Sequence, residues 1–336
     1  MGIHDLSGGD GVLAHVETVA RRALRHYDVA PGADVRLINV SENATFTVDG
    51  GGVRTVLRVH RLGYHSPPAI ASELDWAHAL RAEAGVRTPR VIPARDGSRI
   101  VTVETPGADV RQCVMFEFLP GGEPPLDRLV EDFEPLGAIT ARMHLHARGW
   151  ARPPGFTRFH WDLDAAFGAS PRWGSWRDGL GIDAEARAVL TRLEARLRDR
   201  LRRFGTGPER YGLIHADLRL ANLLVDGTGL GAAGTSVIDF DDCGMGWYLY
   251  DFGAAVSFIE HDPRVPEMIG SWVRGYRSVA DLPRADEDEI WTFVMFRRLL
   301  LVGWIGSHSA VDVARELGAG YTRGTCELAE RYLATP

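Results

Sequence analysis

The chain contains no lysine: every one of the 38 residues counted as Lys+Arg is arginine. Codon bias toward Arg, Ala, Gly and Pro is the plainest cause, but it constrains the chemistry. Any cation that meets a phosphate here is a planar guanidinium rather than the point charge of an ammonium. Cysteine is nearly absent too. Cys113, Cys243 and Cys326 are too few and too widely spaced for a disulfide framework or a zinc site, which points to a reducing compartment. Basic excess is lacking, since the formal net charge is -7, and this counts against a nucleic-acid partner. No long apolar run is present. The longest, Ile290 to Ile305, is broken by Arg297 and Arg298 and is short for a membrane span. The opening residues MGIHDLSGGDG carry neither the basic segment nor the apolar core of a signal peptide. Together these absences predict a cytoplasmic protein with no nucleic-acid or membrane partner, and they leave the oligomeric state open.

What is present centres on Leu213 to Val225, LIHADLRLANLLV, and on VIDFDD at Val237 to Asp242. An apolar run ends in His215 and Asp217, and Asn222 follows at the spacing H-x-D-x-x-x-x-N of a kinase catalytic loop. A second apolar run ends in Asp239. Phosphoryl transfer needs a carboxylate to take the hydroxyl proton, and an amide oxygen and a second carboxylate on a magnesium ion bridging the nucleotide phosphates. Asp217, Asn222 and Asp239 fit these roles in that order. Between them lies the Gly-rich stretch GTGLGAAG flanked by two short strand patterns, which reads as a hairpin able to return Asp239 to Asn222. The plain alternative is that these polar residues decorate a hairpin.

At 336 residues the chain is long for one domain, and two lobes around a cleft are expected. An opening helix is read over Val12 to Tyr27 from its helical apolar period, with Asp10 as a cap. VRLINV, ATFTV and VRTVLRVH then read as successive strands of an antiparallel meander. The turn at Ser41 and Asn43 lacks a Gly-rich signature, so it is either a phosphate contact or an ordinary hairpin turn. Ser66 to Gly85 reads as a helix with Glu73 on its apolar stripe. An inward carboxylate needs a cationic partner, and Arg58 on the preceding strand is the leading candidate. In kinases such a pair holds the nucleotide phosphates; the plain alternative is an ordinary buried salt bridge. Strands are also read at Arg90 to Pro93 and Val110 to Phe118, with Glu117 and Phe118 at a hinge whose backbone can meet adenine. Beyond it the sequence turns helical: Phe133 to Ala147, the arginine-rich Ala184 to Phe204, then Tyr250 onward, Glu267 to Tyr276, Asp286 to Ser307 and Val311 to Leu333. His144 and His146 are read as surface or hinge residues.

These motifs carry a resemblance. SENATFTV, VLRVHR followed by YHS, SELDWAHAL, PGFTRFHWDLD, LIHADLRLANLLV and IDFDDCGMGWYLYDFGAAV make the chain similar to the aminoglycoside phosphotransferase and choline kinase group, nearest its homoserine-kinase, hydroxylysine-kinase and bacterial stress-response-kinase branch. The resemblance implies an α+β, bilobal, protein-kinase-like fold: an N-terminal nucleotide-binding lobe, 1–118, of antiparallel sheet with helices, and a mainly α-helical catalytic and substrate-binding lobe, 119–336. It implies ATP with Mg2+, a hydroxyl acceptor, and a structural role for Asp251 and His215 at the catalytic loop. The chain departs from many relatives in having Arg58 where they carry Lys, and His215-Ala216-Asp217 where they carry HGD. Arg219 takes the place of a catalytic-loop Lys, so a γ-phosphate contact is implied. Acceptor residues are expected at His160, Trp161 and Asp162 and at Asp241 and Asp242, unless the first three form only a packed turn before a helix.

The favoured function is therefore an ATP-dependent phosphotransferase acting on a hydroxyl of a small molecule, an amino alcohol, amino acid or natural product. Carboxylates at Asp162, Asp164, Asp241 and Asp242 in a net-negative protein suggest an amine on that acceptor. The alternatives are a bacterial Ser/Thr protein kinase of the stress-response type and a nucleotide-binding regulatory protein without turnover.

Overall fold

The computed structural model describes residues 9–40, 43–105, 110–225, 229–231, 234–308 and 312–335. Two compact units emerge: Met1–His78, Thr88–Leu119 and Arg152–Thr157 form one, and Ala79–Arg87, Pro120–Ala151 and Arg158–Pro336 the other. Ser41 lies outside the described residues.

In the first unit, helix α1 (Gly9–Ala23) precedes strands β1 (Asp34–Val40), β2 (Ala44–Gly50) and β3 (Val53–Val59). Strands β2 and β3 close on Gly51 and Gly52, both at positive φ, where residues with a side chain are disfavoured. Helix α2 (Pro67–Glu83) follows, then β4 (Val91–Ile92), β5 (Val101–Glu104) and β6 (Val110–Glu117). The sheet is antiparallel in the order β1-β2-β3-β6-β4, with β5 also paired to β6. Strand β5 escapes the sequence reading because only Val101 and Val103 of its four residues point inward. One sheet face is closed by α1, whose Val16, Val19, Ala20 and Ala23 are fully buried with Phe46, Leu57 and Met115. The alternation of buried and half-exposed residues on β2 follows from this one-sided burial.

The second unit is mainly helical. It holds α3 (Leu129–Gly149), β7 (His160–Trp161), α4 (Leu163–Phe167), α5 (Ala184–Phe204), β8 (Tyr211–Ile214), β9 (Leu223–Leu224), β10 (Ser236–Val237), β11 (Gly244–Trp247), α6 (Tyr250–Ala255), α7 (Val265–Arg277), α8 (Arg284–Glu287), α9 (Ile290–Ser307) and α10 (Asp312–Ala334). Asp183 caps α5 by accepting from the Ala186 N–H, and Gly205 ends it at φ 81. Helices α3 and α7 pack backbone to backbone because a Cβ on Gly275 would fall 1.8 Å from the Glu134 carbonyl oxygen. Helix α9 is apolar apart from Arg297 and Arg298 and, with α8, long and apolar enough to cross a membrane, but 78% of its most apolar 18 residues are buried inside the protein, as befits a core helix. The single helix expected over Asp286 to Ser307 is in fact two, and α10 is interrupted at Gly318, whose φ of 46 and ψ of -145 are not helical.

Candidate active site

Three short elements in the second unit deliver the polar residues. Strand β8 ends at Ile214, and Ala216 then turns the chain at φ 67, a left-handed conformation that presents Asp217. Asp251 on α6 holds that turn: its Oδ1 accepts from the Ala216 N–H at 2.7 Å and its Oδ2 from the His215 N–H at 3.1 Å. Strands β9 and β10 pair antiparallel, and the Ile238 N–H donates to the Asn222 carbonyl at 3.0 Å. Asp239 thus follows directly from the bond that ties the two strand ends, at φ 60. His215 clamps the same place from the other side. Its Nδ1 accepts from the Asp217 N–H at 3.3 Å, so Nε2 carries the proton donated to the Ile238 carbonyl at 3.1 Å.

Asp217 is buried with two cations. Arg219 approaches with Nε at 3.0 Å from Oδ1, and Arg297, from the middle of α9, places Nη2 at 2.6 Å from the same oxygen. Arg297 also donates to the Ala216 carbonyl at 3.1 Å, the Tyr250 hydroxyl at 3.0 Å and the Ser257 hydroxyl at 3.3 Å. Burial pushes the Asp217 carboxyl up, but Arg219 and Arg297 outweigh it and hold the group below the ordinary carboxylate range. Burial likewise opposes the Arg297 charge, and Tyr250 and Asp217 sustain it above its ordinary value. Asp217 raises Arg219 in turn, against burial and Arg297, with Asp239 adding to the field. The result is a fixed anion beside a carboxylate and an amide. Asn222 spends its Nδ2 on Asp217, at 2.8 Å to both the carbonyl and Oδ2, which leaves the amide oxygen as the atom that can meet a cation. No cluster of three or more His, Cys, Asp or Glu suited to a metal exists among the described residues. Asn222 and Asp239 fit the alternative, Mg2+ held by one or two protein groups together with phosphates.

Sequence reading treated Arg297 only as a break in an apolar run. The signal was legible, since a guanidinium in the middle of a core helix must find an anion. Its neighbour Arg298 does the same, donating to Glu260 at 2.5 Å and Thr325 at 3.0 Å. His144 is neither a surface nor a hinge residue. It is fully buried, with Nε2 on Asp251 Oδ2 at 3.0 Å and Nδ1 at 3.1 Å from the Tyr276 hydroxyl. Burial holds His144 below its ordinary pKa against the opposing Asp251, so it is neutral and donates from Nε2.

The proposed acceptor residues are distributed unevenly. Trp161 is fully buried, donates to the Asp242 carbonyl at 2.8 Å and packs on Trp173 and Tyr250, so its ring fills the core instead of a ligand surface. Asp162 caps α4, accepting from the Asp164 and Ala165 N–H groups. His160 bonds the Tyr211 hydroxyl at 2.8 Å. Asp241 and Asp242 are buried, and Arg158 fixes their turn by donating to the carbonyls of Asp241 and Cys243.

In the first unit, Arg58 Nη2 and Glu73 Oε1 lie 2.5 Å apart, with both side chains buried. The Arg58 guanidinium also lies over Phe116, 5.1 Å from the ring centre. Asn43 is occupied structurally, its Oδ1 accepting from the Arg61 N–H at 3.2 Å. At the end of β6, the Glu117 N–H donates to the Arg90 carbonyl at 2.9 Å, and Arg54 covers Phe118. A ring ligand there would have to use other backbone groups than the Glu117 N–H.

The family model of the phosphotransferase enzyme family matches residues 34–287. The chain belongs to this family. It is thus a phosphotransferase of the kinase type, and its fold recurs in solved structures. A microcompartment-associated aminopropanol kinase is 52% identical and superimposes with a TM-score of 0.89, covering 95% of this chain and 98% of its own. Amicoumacin kinase of Bacillus subtilis (strain 168) is 23% identical over 326 residues, 92% of this chain and 91% of that protein. Spectinomycin phosphotransferase, at 13% identity and a TM-score of 0.63 over 94% of this chain and 97% of its own, shares the phosphotransferase fold alone.

Proposed function

We propose that this phosphotransferase moves the γ-phosphoryl group of ATP to the hydroxyl of a small amino alcohol. One observation carries the reading: a buried Asp217 carboxylate, fixed by Arg297 and Asn222, stands beside Asp239 at the end of a hairpin. Similarity to an aminopropanol kinase at 52% identity supports the acceptor class. In this reading residues 1–118 bind the nucleotide and 119–336 carry catalysis and the acceptor. Asp217 orients the acceptor hydroxyl and takes its proton. Because its cations keep it a weak base, the proton passes late, as suits a loose transition state in which positioning and electrostatics dominate. Asn222 and Asp239 hold Mg2+, which supplies charge neutralisation on the phosphates. Arg58, steadied by Glu73, faces the nucleotide phosphates, and Arg219 meets the γ-phosphate. His160, Asp241 and Asp242 line the acceptor side.

The test is ATP consumption by the full chain against a panel of amino alcohols, amino acids, diols and a generic protein substrate, with phosphorylated products identified by mass. Turnover confined to amine-bearing small alcohols supports the proposal. Phosphate found only on protein overturns it.

A further inference from the structure

Five donor contacts converge on the two oxygens of Asp217. Oδ1 accepts from Arg297 Nη2 at 2.6 Å and Arg219 Nε at 3.0 Å. Oδ2 accepts from Asn222 Nδ2 at 2.8 Å and from Arg219 Nη2 and Nε at 3.1 and 3.2 Å. A carboxylate has about four lone-pair sites, so this arrangement leaves no place for an incoming hydroxyl. One donor must leave before an acceptor can be oriented.

The three donors differ in how they are held. Arg297 has a side chain 2% exposed, and its other nitrogens are committed to Ala216, Tyr250 and Ser257. Asn222 is buried and bonded to the Asp217 backbone as well. Arg219 is 30% exposed, and among the described residues its guanidinium bonds Asp217 alone, with the Phe258 ring centre 5.6 Å away. Phe258 itself sits at φ 72, a conformation a bulky residue rarely adopts, directly after the Ser257 that accepts from Arg297. A single strained turn therefore supports both guanidiniums, one fixed and one loose.

We infer that Arg219 is a displaceable cation occupying the acceptor's place on Asp217 until bound nucleotide draws it away, while Arg297 is the positioning residue that keeps the carboxylate aimed throughout. The inference rests on the phosphotransfer reading above. Arg219 reaches both Asp217 oxygens, so its departure frees a site on each: one takes the acceptor hydroxyl, and the other, beside the Phe258 ring, takes an ammonium on the neighbouring carbon, which a diol lacks. Nucleotide and acceptor binding are then coupled through Arg219.

The experiment is a calorimetric cycle on the full chain, wild type and Arg219→Met, titrated with 1-amino-2-propanol in the absence and presence of a non-hydrolysable ATP analogue with Mg2+. In the wild type the analogue tightens amine binding by at least about fivefold, the lower end of ordinary coupling between sites. In Arg219→Met the amine binds equally tightly with or without the analogue, and more tightly than to the nucleotide-free wild type. Unchanged coupling, or weaker amine binding in the variant, overturns the displacement. A second pair tests Arg297: Arg297→Lys lowers kcat with little change in either KM and is less impaired than Arg297→Met, whereas a wild-type kcat in Arg297→Met overturns its role. The wild type's turnover separates the two failures. If it phosphorylates amino alcohols but the analogue does not tighten amine binding, the displacement fails and the proposed function stands; if it phosphorylates only diols or no hydroxyl compound, the proposed function itself fails.

Discussion

Arg297 Nη2 lies 2.6 Å from Asp217 Oδ1, in a contact that joins the middle of the core helix α9 to the loop that presents Asp217. A cation 2% exposed cannot exchange partners with solvent, so the direction of the Asp217 carboxylate is set by the packing of α9. The same logic recurs one residue on, where Arg298 is held by Glu260.

Asp239→Asn separates metal binding from backbone strain. Asp239 sits at φ 60, a conformation Asn tolerates as well as Asp, so the variant should fold like the wild type. It keeps an oxygen ligand but loses the charge. The Mg2+ concentration needed for half-maximal turnover should rise at least about tenfold, the scale of a lost hard-cation ligand charge worth about 1.4 kcal/mol. A Mg2+ titration of activity checks this, and an unchanged midpoint would count against Asp239 as a ligand.

Glu73→Ala strands the buried Arg58 guanidinium. Breaking a buried pair by removing one partner costs about 3–5 kcal/mol, and the first unit should show that loss in urea unfolding together with weaker ATP binding. A loss below about 1 kcal/mol, the range of exposed pairs, would mean the two side chains are solvated in solution.

Ala216→Gly should stabilise the protein or leave its stability unchanged. Ala216 holds φ 67, and a non-glycine residue in the left-handed region costs on the order of 1–3 kcal/mol, which glycine does not incur there. Its greater unfolded-state entropy offsets up to about 1 kcal/mol of that gain. Thermal unfolding should therefore move up or stay level, with turnover retained because Asp251 still holds the loop N–H groups. A fall in Tm would show that the loop relaxes φ in solution.

His144 predicts an acid-side loss of stability. Its folded pKa is depressed by burial, so the neutral form is native, and in the unfolded chain the imidazole titrates near about 6.5. Below that pH the unfolded state binds more protons than the native state, and stability falls as pH falls toward the depressed folded value. Between pH 7.5 and 5.5 the wild type should lose Tm more steeply than His144→Gln, which has no such proton to take up. Equal slopes would assign the acid sensitivity elsewhere, for instance to His261, which burial also lowers.

Much of this was legible in the sequence, for physical reasons. The strands β1 to β3 show as runs of β-branched residues punctuated by glycine, and the pairing of Asp217, Asn222 and Asp239 follows from motif spacing and a Gly-rich hairpin. Glu73 on the apolar stripe of α2 demanded a cation, and Arg58 is there. Contacts between residues far apart in the chain were not legible. Arg297 meets Asp217 from 80 positions away, and His144 meets Asp251 from 107. Local periodicity carries no information about such partners. Trp161 illustrates the converse error: a Trp between His160 and Asp162 looks like a ligand surface, but the ring is turned into an aromatic core and the carboxylate into a helix cap.

The most direct test of the account is phosphoryl transfer by Asp217→Asn against the wild type, followed by 31P NMR with ATP, Mg2+ and 1-amino-2-propanol. The account predicts a phosphorylated amino alcohol from the wild type, and from the variant ATP binding of near wild-type affinity with turnover lower by about 10²–10⁴-fold, as for loss of a general base. Transfer by Asp217→Asn at the wild-type rate would contradict it.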